Sequence, residues 1–220
     1  TPERMMDADP EFFIRRKLSK TEQGTSFFGP EALADYIRCI KNPATTHAMC
    51  EAYRATFGID LDSGAVKWEF KANVDPKVAR PCCAWPGRGV GLGEGKVFVG
   101  ELDARLIALD QHTGKVVWSI QAEDPKLGYV IASAPLYYDG MVITGFAGSD
   151  MGTRGRIKAY DAKTGALRWT FYTVPGPGEF GHDTWPANSD VWKHGGAAVW
   201  QTPAIDPALG LIYFSTANPW

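Results

Sequence analysis

Two periodicities divide the chain. In residues 1–57 the apolar positions recur at helical spacing. Asp9-Pro10 reads as an N-cap followed by proline at the first helical position, leading into "EFFIRRKL". Gly29-Pro30 opens "EALADYIRCIK", where Leu33, Tyr36, Ile37 and Ile40 fall at i, i+3, i+4 and i+7 and form one apolar face. Asn42-Pro43 breaks that helix and starts another through "ATTHAMCEAYRAT", which Gly58 ends. From residue 58 onward the pattern changes to period two, with short apolar runs between glycine turns. The predicted strands include "KVFVGE" (96–101), "RLIALD" (105–110), "MVITGF" (141–146) and "LIYFST" (211–216).

The strand-rich part repeats itself. "GIDLDSGAVKW" (58–68), "ALDQHTGKVVW" (108–118) and "AYDAKTGALRW" (159–169) each carry an Asp, a Ser/Thr-Gly turn and a strand ending in Trp. Trp68, Trp118 and Trp169 are 50 and 51 positions apart. A period near fifty with several short strands per unit is the mark of propeller blades. The Asp and Ser/Thr side chains tie each turn, and glycine supplies its positive φ. The Trp is expected to pack between neighbouring blades, with its N–H free for a backbone carbonyl.

Composition narrows the class. Of 220 residues, 45% are hydrophobic, enough for a core, and 24 Gly, 15 Pro and 8 Trp suit a turn-rich β protein. A net charge of −2 gives no reason to expect nucleic acid or an anionic membrane surface. No apolar run is long enough to span a bilayer. The chain starts at Thr1 with no signal peptide, and the expectation is a processed or cut piece. The four cysteines, Cys39, Cys50, Cys82 and Cys83, do not have zinc-site spacing.

Several residues do not serve the repeat. Cys82 and Cys83 are adjacent in a Pro/Gly loop: either two free thiols filling a gap, or a disulfide between neighbours that makes a stiff apolar plate. Arg88 follows them. "GFAGSDMGTRG" (145–155) carries Ser149, Asp150 and Arg154; "HGGAAVWQTP" (194–203) carries Trp200; "STANPW" (215–220) carries Asn218. A carboxylate with an amide oxygen suits a hard cation such as calcium. An indole face suits a planar ring, and Arg forks suit that ring's carboxylates. Singly, Asp150 is an ordinary turn former, Trp200 a core residue and Arg154 a surface charge. Jointly they describe a site.

Residues 58–220 resemble the quinoprotein alcohol dehydrogenases, propellers that bind pyrroloquinoline quinone (PQQ) and calcium, or a lanthanide in its place. The resemblance runs through the Trp repeats, the Cys-Cys stretch, "SDMGTRG", "YTVPGPG", "VWQTPAIDPALGLIYF" and "TANPW". It implies a mainly β fold: a partial propeller of about three blades after a short α-helical segment. It implies that Cys82 and Cys83 form a disulfide lid over the quinone, with Trp200 as the floor beneath and Arg88 and Ser149 as further cofactor contacts. Asp150 and Asn218 become cation ligands, and Arg154 lies where the family keeps an arginine. Five positions depart from the family pattern: Asp150 replaces glutamate, Ala132 (beside Ser133) replaces threonine, Gly87 replaces asparagine, and "STAN" (215–218) replaces "GTGN" at two positions. The family's proton-accepting aspartate corresponds to a position past Trp220, so no catalytic residue is assigned here. The implied substrate is a small-molecule alcohol, and the implied compartment is the periplasm. The electron acceptor leaves no mark on the sequence.

Residues 1–57 resemble part of the helical cap of haloacetate dehalogenases, through "DPEFFIRRKL" and "PEALADYIRCIKNPATTHAMCEAYRA". There Tyr53 would help hold the departing halide, while the partner tryptophan of that task falls near Thr21. "GHDTW" (181–185) sits in a Pro/Gly loop and is read as coincidence, and His47, His112, His182 and His194 as loop or solvent residues. The chain thus reads as a cap-like segment (1–57) joined to an incomplete propeller (58–220). Quinone-dependent alcohol oxidation is the leading function. A cytoplasmic dehalogenase and a non-catalytic propeller fragment are the alternatives.

Overall fold

A computed structural model describes residues 6–18, 29–45, 55–75, 77–79 and 87–219. The chain forms two compact units, Thr1–Ala55 and Thr56–Trp220.

The first unit holds helices α1 (Pro10–Leu18) and α2 (Pro30–Ile40). Asp9 caps α1 as its sequence position predicts: its Oδ1 accepts the Phe12 N–H at 2.9 Å. Of the apolar face on α2, Ile40 is buried while Tyr36 is exposed. Lys41 Nζ, just past α2, meets Glu11 Oε2 of α1 at 2.7 Å. The helix predicted to run up to Gly58 stops earlier, because Ala55–Ile59 is strand β1. Gly58 is a bare spot beneath an indole: a Cβ there would lie 2.3 Å from Trp68 Cε2.

The second unit is the partial propeller expected from the sequence. β1 pairs with β2 (Val66–Lys71). One four-stranded blade follows in the order β3 (Gly91–Gly93), β4 (Lys96–Gly100), β5 (Arg105–Asp110), β6 (Val116–Gln121). The next runs β7 (Leu136–Tyr138), β8 (Met141–Gly145), β9 (Arg156–Asp161), β10 (Leu167–Tyr172). β11 (Ala204–Asp206) and β12 (Leu211–Tyr213) form a last hairpin, so the run predicted over 211–216 is paired for only half its length.

The three repeated turns are built alike. Asp110 Oδ1 accepts the Thr113 N–H and hydroxyl, both at 2.8 Å, and the hydroxyl holds the Asp110 carboxyl below its ordinary value. Asp60 does the same with Ser63, and Asp161 with Thr164. The second and third turns also receive the indole of the repeat before them. Trp68 Nε1 donates to Gln111 O at 3.0 Å, and Trp118 Nε1 to Ala162 O at 3.1 Å. The turn glycine is needed twice over: Gly114 has φ 67°, and a Cβ on it would lie 2.6 Å from Trp68.

Cores lie between the blades. Val97, Val99, Ile107 and Leu109 pack on one face of the β3–β6 sheet with Trp68 and Phe70. Phe98, Leu106 and Ala108 pack on the other, with Val142, Phe146 and Tyr160. The central strands are therefore apolar on both faces. Strict period two survives only in outer strands such as β6, with the burial of one side alone.

This topology sorts the loops. Consecutive strands within a blade are antiparallel. Even-numbered strands therefore all end on one face of the propeller, opposite the Asp-Gly turns. The loops after β2, β4, β6, β8, β10 and β12 share that face.

Candidate functional site

Every described candidate residue of the propeller part lies in a loop that follows an even-numbered strand. Arg88 follows β2, Ala132 and Ser133 follow β6, and Ser149, Asp150 and Arg154 follow β8. Trp200 follows β10 and Asn218 follows β12. Residues as far apart in sequence as Arg88 and Asn218 are thus delivered to one surface by strand direction alone.

The last loops meet through a short ribbon, residues 194–199. On one side it pairs with the loop after β8: Gly155 N donates to Gly196 O at 2.8 Å, and Gly196 N to Thr153 O at 3.0 Å. On the other it pairs with the segment after β12: Ala197 N donates to Asn218 O at 3.0 Å, and Ala217 N to Ala198 O at 2.8 Å. Gly155 permits the first approach, since a Cβ there would lie 2.1 Å from Ala197 O. The ribbon ends at Trp200.

Asp150 and Asn218, 68 positions apart, come together: Asn218 Nδ2 lies 3.3 Å from Asp150 Oδ1 and 3.0 Å from Pro219 O. Both residues are exposed. Arg88 lies over the Trp200 ring, with Cζ 4.9 Å from its centroid, and its Nη1 donates to Ala132 O at 3.3 Å. Next to Ala132, the Ser133 hydroxyl is buried and has no hydrogen-bond partner among the described residues.

Two of the candidate side chains have partners within the protein. Ser149, read as a cofactor contact, is 3% exposed, and its Oγ accepts the Ala198 N–H at 3.0 Å. Arg154, read as facing the ring's carboxylates, is consumed by the protein. Its Nε donates to Val174 O at 2.8 Å, its Nη2 pairs with Glu179 at 2.6 Å, and its Cζ sits 3.6 Å from the Tyr172 ring centroid. Cys82, Cys83 and Tyr53 lie outside the described residues. Among the described residues no group of three His, Cys, Asp or Glu side chains could hold a metal.

Glu101 was missed. It opens the loop after β4, on the same face, and its carbonyl accepts the Ile131 N–H at 3.1 Å. Burial pushes its carboxyl up to about 8; Asp103 adds to the rise and Arg105 opposes it. The available sequence signal was an acid closing an apolar strand, "KVFVGE".

Residues 45–220 match the PQQ family model, described as "Glucose/ethanol/alcohol dehydrogenase, beta-propeller domain". The chain belongs to that family. That match begins at residue 45, ahead of the boundary at 58 expected from the sequence, and takes in Tyr53; the expected dehalogenase-cap resemblance of residues 1–57 is not shown. The chain is 42% identical over 185 residues to the quinoprotein alcohol dehydrogenase PedH of Pseudomonas putida, covering 76% of this chain and 30% of that protein. It is also 42% identical over 186 residues to the quinohemoprotein alcohol dehydrogenase ADH IIB of Pseudomonas putida, covering 77% and 26%. Among solved structures, a europium-containing methanol dehydrogenase superposes with a TM-score of 0.69 at 34% identity, covering 75% of this chain and 32% of that one. The chain therefore spans about a quarter to a third of the length of these curated relatives.

Proposed function

We propose that this chain is part of the catalytic propeller of a PQQ-dependent alcohol dehydrogenase. In this reading it supplies one side of the quinone and cation site on the face described above. The observation that carries the reading is the meeting of Asp150 with Asn218 beside a loop system that also brings Arg88 onto Trp200.

The residues fit a cation. Two oxygens bound to one calcium-sized ion at ~2.4 Å each lie no more than ~4.8 Å apart. The 3.3 Å between the Asp150 carboxylate and the Asn218 amide falls inside that limit. The amide nitrogen now faces Asp150. Turning the amide over would present its oxygen, and ion contacts would replace its bonds to Asp150 and Pro219. Asp150 is shorter than the glutamate of the family pattern, so it reaches less far for the same ion.

The residues also fit a planar acid. Trp200 offers an indole face, Arg88 a guanidinium against that face for carboxylates, and Ser133 a buried hydroxyl with no partner among the described residues. Cys82 and Cys83 would close the opposite side as a disulfide plate. When bound, the quinone accepts two electrons from the alcohol carbon. This chain's residues bind and orient it, and Asp150 and Asn218 hold the cation beside it. The electrons pass to an acceptor that these residues do not define, and the family resemblance implies a periplasmic setting.

Titrating the 220-residue chain with PQQ in the presence of Ca²⁺ or Tb³⁺ tests this through tryptophan fluorescence. Saturable quenching is expected, dependent on the cation and lost in Asp150→Ala. A folded chain that shows no saturable quenching would overturn the proposal.

A further inference from the structure

Ser149 is engaged within the protein. It is 3% exposed, and its hydroxyl is committed to the Ala198 N–H at 3.0 Å. Its place in the fold is nevertheless specific. It directly precedes Asp150, and the Ser149–Met151 turn is flanked by Gly148 and Gly152, both at positive φ (140° and 66°). A turn held between two glycines has little intrinsic stiffness. Asp150 itself is exposed, and among the described residues its carboxylate has one hydrogen-bond partner, Asn218. Two side chains tie this turn to the 194–199 ribbon, Ser149 through Ala198 N–H and His194 through Gly152 O at 2.9 Å, and of these the Ser149 tie lies directly beside Asp150. The same ribbon fixes Asn218, because Ala197 N donates to Asn218 O and Ala198 O accepts the Ala217 N–H.

These bonds close a ring. It runs from Asp150 through its neighbour Ser149 to Ala198, along the ribbon to Ala197, to the Asn218 backbone, and through the Asn218 amide back to Asp150. We infer that Ser149 is a positioning residue for the cation pair: its hydroxyl helps set the distance between Asp150 and Asn218 by registering both on one ribbon. The inference rests on the cation reading above and assigns Ser149 a role in that site other than cofactor contact. Groups that orient metal ligands without touching the metal are worth about 10–100-fold in metal affinity.

Tb³⁺, a luminescent stand-in for calcium, tests this on the full chain without PQQ. Ser149→Ala is expected to weaken Tb³⁺ binding by about 10–100-fold. Ser149→Cys, of similar volume but with a weak acceptor, should fall between Ala and wild type. That second variant keeps the packing if Ser149→Ala does not fold. Emission lifetimes in H₂O and D₂O add a readout that a general loss of stability would not move: an additional water on the bound ion as Asp150 swings away. Variants that are folded by circular dichroism yet bind Tb³⁺ within about twofold of wild type with unchanged lifetimes, while Asp150→Ala abolishes binding, overturn the role of Ser149 and leave the cation site standing. Wild-type protein that fails to bind Tb³⁺ overturns the cation reading and this inference with it.

Discussion

Glu101→Gln replaces a carboxyl group that the fold holds protonated near neutral pH with a neutral side chain of nearly the same shape. Burial pushes the Glu101 carboxyl up to about 8 from an ordinary 4.5. Between those values the folded chain keeps a proton that the unfolded chain has released. Stability therefore falls as pH rises from 4.5 to 8 and is flat on either side. At about 1.4 kcal/mol per pH unit the full window has a ceiling of about 5 kcal/mol. Glu101 is only partly buried. Solvent screening at this partly exposed carboxyl reduces the expected loss to about 2–3 kcal/mol. Glutamine does not titrate, so the variant should match wild type near pH 5 and exceed it by that amount at pH 8.5. For a chain of this length that is a rise of about 5–10 °C in melting temperature. Urea unfolding midpoints, followed from pH 5 to 8.5 at fixed ionic strength, read the difference directly. Parallel curves for the two proteins would refute the reasoning, because a solvated, normally titrating Glu101 gives the glutamine variant no pH-dependent advantage.

Two further outcomes follow from the same structure. Glu123 Oε1 pairs with Arg156 at 2.9 Å and Lys158 at 2.6 Å, all three side chains at least 85% covered. Glu123→Gln leaves two cations without their anion and should cost about 3 kcal/mol in urea denaturation; a change under about 1 kcal/mol would show that water already solvates them. Cys82 and Cys83 should be bonded to each other after oxidation, so non-reducing peptide mapping should find both in one peptide lacking two hydrogens. A link from either to Cys39 or Cys50 would remove the plate from the proposed site.

The repeat was legible because its causes are local. Asp110, Thr113 and Gly114 make their turn within five residues, and the same set recurs at 60–64 and 161–165. The indole at the end of each repeat announces packing on the next, although the sequence could not show that Trp68 lands on the Gly114 turn. Helix and strand periodicity were less reliable where a partner decides. "ATFGI" reads as the tail of a helix until β2 is there to pair with it, and the double-sided burial of β4 and β5 removes the alternation that marks a strand.

Sequence by itself thus determined the blade architecture, the helical segment and the residue types of the proposed quinone and cation site. It did so because turn chemistry and motif order survive without a partner. Only the tertiary structure decided how those residues are used. Asp150 meets Asn218 across 68 positions, and Arg88 meets Trp200, because even-numbered strands end on one face. Arg154 pairs with Glu179 and stacks on Tyr172, and the Ser149 hydroxyl accepts the Ala198 N–H, contacts that only the folded loops bring about. Glu101 looks like any strand-end acid in sequence. Burial raises its pKa, and burial is a property of what the other loops cover.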